Sequence, residues 1–145
     1  TNATLLGQYA ADLASAGLTR LNISIDSLNA LRFRKLTGGE LVPVLAGIKA
    51  AKNSGLFPIK LNTVLTRGIN DDEVADLIYF AIENDATIRF IELMPMKQGM
   101  DWKQHYVSVD EVLQRDDVRQ CVDVDAPLLT GNTAARYLPL KIGKG

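Results

Sequence analysis

Apolar residues recur along this chain with two periods, one helical and one of strand type. Leu6, Tyr9, Ala10 and Leu13 fall at helical spacing and predict a helix over Leu5–Ala16, with Gly17 as its stop. Leu18–Asp26 then alternates. Leu21, Ile23 and Ile25 share one face of a strand, and Asn22, Ser24 and Asp26 share the other. Ser27–Leu36 reads as a short helical passage ending at Thr37-Gly38-Gly39. Leu41, Val44, Leu45 and Ile48 stripe a longer helix over Leu41–Asn53, with Pro43 in its first turn and Gly55 closing it. Pro58–Leu65 alternates again, with Lys60 and Asn62 opposite Ile59 and Leu61. Asn70 with Glu73 at the third position predicts a capped helix start, followed by the stripe Val74, Leu77, Ile78, Ala81 and Ile82. A third strand is predicted over Thr87–Leu93.

Strands alternating with amphipathic helices imply right-handed β-α-β units and a parallel sheet. The fold class is therefore α/β with a parallel sheet, in a barrel or an open sheet. Ligands in such folds sit at the carboxyl ends of the strands. Asp26, Thr66-Arg67-Gly68 and Met94-Pro95-Met96 all lie at such ends. Beyond Met96 the pattern weakens. Lys97–Tyr106 reads as a polar loop holding Trp102 and His105, and Ser108 with Glu111 makes a second capping box for a helix to about Gln114. Strands are expected over Val118–Val124 and Ala134–Ile142, the latter entering a Gly143-Lys144-Gly145 turn. Both ends read as interior to a longer protein.

Composition adds exclusions. A net charge of −1 gives no pull toward nucleic acid or anionic membrane. No apolar run approaches the ~20 residues of a membrane helix, and nothing reads as a signal peptide. The single cysteine, Cys121, leaves no internal disulfide and no multi-cysteine metal cluster from this chain alone; it suits a cytoplasmic protein.

The candidate chemistry lies in polar residues set among strand positions. Lys60, centred in a parallel strand, is rarely fully buried without a partner. It reads as a phosphate or carboxylate ligand, as a Schiff-base amine, or as half of a structural ion pair with Asp26 or Glu92. Asn22 and Ser24 fit ligand binding or hydrogen bonding inside a barrel. Strict alternation puts Arg89 and Glu92 on opposite faces unless a bulge intervenes. Met94-Pro95-Met96 reads as core-edge packing. Cys121 and His105 lack partners at ligand spacing, Asp116-Asp117 reads as a solvated loop, and Gly38-Gly39 lacks phosphate-loop spacing.

The strings AGLTRLNISIDSL, FRKLTGG, IKLNTVLTRGINDDEV and IRFIELMPM, in this order and spacing, resemble the molybdenum-cofactor biosynthesis protein A family. These are radical S-adenosylmethionine (SAM) enzymes, GTP 3′,8-cyclases. The similarity covers nearly the whole chain and implies a portion of an incomplete parallel β/α (TIM-like) barrel of the radical SAM type, with a partial barrel over residues 1–106 and the start of a C-terminal region over residues 107–145. It implies a lyase that makes 3′,8-cyclo-GTP by hydrogen abstraction from the GTP ribose and attack on guanine C8. The product passes to cyclic pyranopterin monophosphate synthase. The resemblance implies SAM and two 4Fe-4S clusters, but the cysteine sets that hold the clusters and the glycine-rich SAM motif are absent from this chain, so the fragment alone is expected to be inactive. By motif, Ser24 and Met94 correspond to SAM contacts and Lys60 to a GTP contact, with Arg89, Asn22 and Asn62 near the pocket. Thr1-Asn2-Ala3 stands where the family has Thr-Asn-Gly, which relaxes the glycine requirement of that turn. A homodimer is compatible with the resemblance, and the sheet edges of a partial barrel predict self-association or poor solubility. Two other readings stand beside it: an aldolase-like barrel with Lys60 as Schiff-base amine, and a non-catalytic fragment.

Overall fold

A computed structural model describes residues 1–95, 102–126, 129–130 and 136–141. The first unit is α1 (Leu6–Ser15), followed by β1 (Leu21–Ser24), α2 (Ala30–Thr37) and α3 (Leu41–Asn53). Then come β2 (Ile59–Leu65), a 3-10 turn at Asp71–Glu73, α4 (Val74–Glu83) and β3 (Ala86–Glu92). The remainder holds α5 (Trp102–His105), α6 (Val109–Leu113), α7 (Asp116–Cys121) and the antiparallel pair β4 (Leu129–Thr130) and β5 (Arg136–Tyr137).

The main sheet has the order β1-β2-β3 and is parallel throughout. Because spatial order follows chain order, right-handed crossovers bring every connecting helix to the same face. A doubly wound sheet would reverse its strand order and cover both faces. This winding is that of a barrel wall, and the chain is a portion of an incomplete β/α barrel. On the covered face Ile23, Ile59, Leu61 and Leu65 are fully buried against Leu6 and Ala10 of α1, Val44, Ile48 and Ala51 of α3, and Val74, Ile78 and Ala81 of α4. Each fully buried aliphatic side chain contributes ~1.5–3 kcal/mol.

Some expectations fail for identifiable reasons. Asn70 and Glu73 do not cap α4 by side-chain hydrogen bonds; the chain enters through the 3-10 turn because both side chains are engaged elsewhere. The expected strand at Val118–Val124 is α7, with Val118, Cys121 and Val122 at helical spacing and buried against Leu65, Val74 and Ile78. Asp116 and Asp117 therefore open a helix rather than sit in a solvated loop, and Asp117 pairs with Arg115 at 2.8 Å. The polar stretch ending at Tyr106 carries α5. Ser108 does cap α6, accepting from the Glu111 N–H at 3.1 Å, but the Glu111 carboxylate turns to Arg67. Of the expected Ala134–Ile142 strand, Arg136–Tyr137 is β5 and Leu140 bridges to Val122; the Gly143–Gly145 turn lies outside the described residues.

Ala3 does not escape the glycine-like conformation of its turn. It is buried with φ 60°, in the left-handed region that costs a non-glycine residue ~1–2 kcal/mol. Its carbonyl accepts from Leu6 N–H and lies where a Cβ on Gly47 of α3 would collide with it. Gly47 thus lets α3 pass close to the turn.

Candidate functional site

The face of the sheet opposite the helices carries the polar residues. In β2 the burial alternates strictly, with Ile59, Leu61, Thr63 and Leu65 buried and Lys60, Asn62 and Val64 half-buried. The register aligns these with the neighbouring strands in rows. Asn22, Lys60 and Thr87 form one row, and Ser24, Asn62 and Arg89 form the next toward the carboxyl ends. Paired residues in a sheet point to the same side, so Asn22, Ser24, Lys60, Asn62 and Arg89 share one surface. Two of its atoms, Asn62 Oδ1 and Arg89 Nε, are buried without a hydrogen-bond partner. Buried polar atoms are almost always satisfied, so this face suits a polar ligand.

The register also settles the two charges of β3. Arg89 pairs across from Asn62, whereas Glu92 pairs across from Leu65 on the helix-covered side. No bulge is needed. Arg89 Nη2 donates to the Tyr137 hydroxyl at 3.3 Å, which brings β5 to the polar face. Glu92 accepts from the Tyr106 hydroxyl at 2.8 Å and from Val109 N–H at 2.9 Å, and these donors hold its carboxyl below the usual range. Lys60 forms no ion pair among the described residues, so the expected pairing with Asp26 or Glu92 is not made there. Met94 follows β3 and is 58% exposed. Met96 lies outside the described residues.

At the carboxyl ends of β1 and β2 the backbone ladder gives way to side chains. Ile25 N–H still donates to the Asn62 carbonyl. Beyond it, Thr63 Oγ1 donates to the Ile25 carbonyl at 2.6 Å, and Val64 N–H donates to Asp26 Oδ1 at 2.8 Å. Asn70, fully buried, donates from Nδ2 to the carbonyls of Asp26 at 2.6 Å and Val64 at 2.9 Å and accepts from Thr66 N–H at 2.7 Å. Glu73 fastens the next layer: its carboxylate accepts from Ser27 Oγ at 2.8 Å, Leu28 N–H at 2.7 Å and Arg32 at 2.9 Å. Arg32 also grips Asp72 with both terminal nitrogens, at 2.6 and 2.9 Å. A shallow depression of about 360 Å³ lies beside this cluster, lined by Leu28, Asn29, Arg32, Asp72, Glu73 and Asp76. Its guanidinium is already occupied by those carboxylates, so the depression belongs to the loop brace and not to the polar sheet face. Sequence reasoning missed the brace. The run Asn70-Asp71-Asp72-Glu73 looks like a helix start, and only tertiary contacts distinguish a cap from a tether.

The tail residues set aside earlier are structural. Cys121 is buried and donates to the Asp117 carbonyl at 3.2 Å. The His105 carbonyl accepts from Arg67 N–H at 2.7 Å, and the Arg67 guanidinium forms a two-pronged pair with Glu111 at 2.8 and 2.7 Å. Among the described residues no three histidine, cysteine, aspartate or glutamate side chains gather to hold a metal ion. None of the described helices is long and apolar enough to cross a membrane.

Comparison with known proteins agrees with this geometry. A GTP 3′,8-cyclase of Listeria monocytogenes serotype 4b is 51% identical across the whole chain, and one of Listeria welshimeri serovar 6b is 44% identical across it. The chain corresponds to 44% of the length of each. A GTP 3′,8-cyclase of Peptoclostridium acidaminophilum is 49% identical over 79% of the chain and 36% of that protein. The chain therefore spans less than half the length of these curated relatives. The profile of the Radical SAM superfamily matches residues 1–81, more than half of the chain, and with the one-sided parallel sheet it establishes that this chain belongs to the radical SAM superfamily.

Proposed function

We propose that this chain is the SAM- and GTP-lining part of a radical SAM GTP 3′,8-cyclase acting early in molybdenum cofactor biosynthesis. The observation that carries the reading is 44–51% identity, over the whole chain, to two proteins of that name. The polar sheet face supports it. Ser24 and Met94, at the carboxyl ends of β1 and β3, are assigned to SAM, and Lys60 to GTP. Asn22, Asn62 and Arg89 complete the pocket, and the unpartnered Asn62 Oδ1 and Arg89 Nε fit an acceptor and a donor for nucleoside-type ligands. SAM held by Ser24 and Met94 would supply radical chemistry when reduced at an iron–sulfur cluster. The described residues hold no cluster ligands, so those come from outside them, and this chain alone is inactive in our reading.

The role left to these residues is positional. Lys60 and Arg89 stand on adjacent rows of neighbouring strands, so two cations face one pocket and suit a polyphosphate. The closed helix face behind them keeps the wall rigid and dry, which favours alignment of reacting carbons and protects a reactive intermediate from water. Residues 1–106 are assigned to the barrel and 107–145 to the start of the C-terminal region. We place the enzyme in the cytoplasm as a homodimer, with its product consumed by cyclic pyranopterin monophosphate synthase. The test is Lys60→Ala in the full-length, cluster-loaded enzyme. GTP affinity should fall by about tenfold or more, as for loss of a charged hydrogen bond, while SAM affinity holds. Unchanged GTP affinity overturns the assignment.

A further inference from the structure

Asp26 carries a charge that its structural role does not require. It lies two residues beyond Ser24, just past the carboxyl end of β1, the end at which ligands of β/α barrels bind. One oxygen, Oδ1, accepts from Val64 N–H at 2.8 Å. The other accepts nothing among the described residues, and no cation among them pairs with it. The surrounding backbone is held by other groups: Thr63 binds the Ile25 carbonyl, and Asn70 binds the Asp26 carbonyl. An asparagine would satisfy Val64 equally well without a charge to desolvate. Burial pushes the Asp26 carboxyl above its ordinary value of 3.8, because the lone Val64 N–H does not offset the desolvation. Glu92, at the end of β3, shows what a purely structural carboxylate looks like here: two donors and a lowered pKa.

We propose that Asp26 is a further ligand-binding residue, its second carboxylate oxygen accepting a hydrogen bond from a hydroxyl or ammonium group of the ligand that Ser24 contacts. This rests on the reading above, in which that ligand is SAM; both groups occur on it. The partner missing from the carboxylate in the protein is then supplied by the ligand.

The test uses Asp26→Asn in the full-length, cluster-loaded enzyme. SAM and GTP affinities are measured separately by calorimetry, with the melting temperature followed without ligand. The expected result is SAM binding weaker by about tenfold, GTP binding unchanged, and a melting temperature equal to or above the parent's. A tether to Val64 alone would leave SAM affinity unmoved, and that outcome overturns the assignment while leaving the cyclase reading intact. Joint loss of melting temperature and of both affinities also overturns it, since it marks a structural role. A parent enzyme that binds neither SAM nor GTP overturns the cyclase reading and this assignment with it.

Discussion

The two faces of β2 are built to different rules. Toward the helices, Ile59, Leu61, Thr63 and Leu65 are each fully buried, and the single polar one, Thr63, spends its hydroxyl on the Ile25 carbonyl. Toward the open side, Lys60, Asn62 and Val64 are half-buried, and Asn62 leaves its amide oxygen unpartnered. One strand thus carries a closed account of contacts on one side and an unfinished one on the other. The contrast repeats in the carboxylates at the strand ends. Glu92, on the helix side at the end of β3, has two donors; Asp26, just past the end of β1, has one. Apolar burial is concentrated behind the sheet, and the unpartnered polar atoms lie in front of it.

The largest test of that division is a pair of substitutions one residue apart. Leu61→Ala should cost ~2–5 kcal/mol, because it empties a fully buried site, whereas Lys60→Ala should stay within ~0.5 kcal/mol. Denaturant unfolding measures both, and comparable losses would break the two-face picture. Next in size is Glu73→Gln. The neutral amide keeps one acceptor for Ser27 or Leu28 but leaves Arg32 less paired, so a loss of ~1–3 kcal/mol is expected in thermal melts. Gly47→Ala comes third and reverses a familiar trend. Alanine normally stabilises a helix interior by ~1 kcal/mol over glycine. Here the added methyl meets the Ala3 carbonyl, and a net loss of ~1–3 kcal/mol should appear in the same melts.

The smallest effects are pH-dependent and opposite in sign. The Glu92 carboxyl is held below its ordinary 4.5, so it stabilises the fold above that pH and loses the contribution as pH falls through its lowered folded value. Glu92→Gln should therefore be less stable than the parent at neutral pH, with the gap closing in acid. Asp26 is raised above 3.8, so its ionisation opposes folding above its folded value, and the penalty vanishes below 3.8. Asp26→Asn should gain slightly at neutral pH and lose that gain in acid. Melting temperatures across a pH series would sharpen or erase this contrast.

The alternation of apolar and polar residues made most of the sheet legible in advance. The helix over Leu41–Asn53 is found where its stripe placed it, and the strand Ile59–Leu65 begins one residue after its expected start. The shared polar face was readable because period-two alternation is a local property. What local pattern does not contain is register, and register is what decides that Arg89 shares the face of Asn62 and Glu92 that of Leu65. The brace of Asn70 and Glu73 escaped for the same reason: short polar side chains that cap helices also bind backbone across a fold, and sequence spacing is identical in both uses. The tail differs where a strand is expected over Val118–Val124; the spacing of Val118, Cys121 and Val122 by three and four residues is the better signal, that of a helix.

The strand order β1-β2-β3 has one more consequence, for how the polypeptide is made. In the sheet β2 pairs with β1 across α2 and α3, and β3 pairs with β2 across α4. A chain emerging amino end first therefore never has to hold an open slot for a strand still to come. Each new β-α unit docks on a partner already outside the ribosome, and its apolar face is covered within about the time needed to make the next unit. The face left bare during this growth is the polar one, which water solvates well. The asymmetry that leaves one side polar also limits the greasy surface offered to other nascent chains.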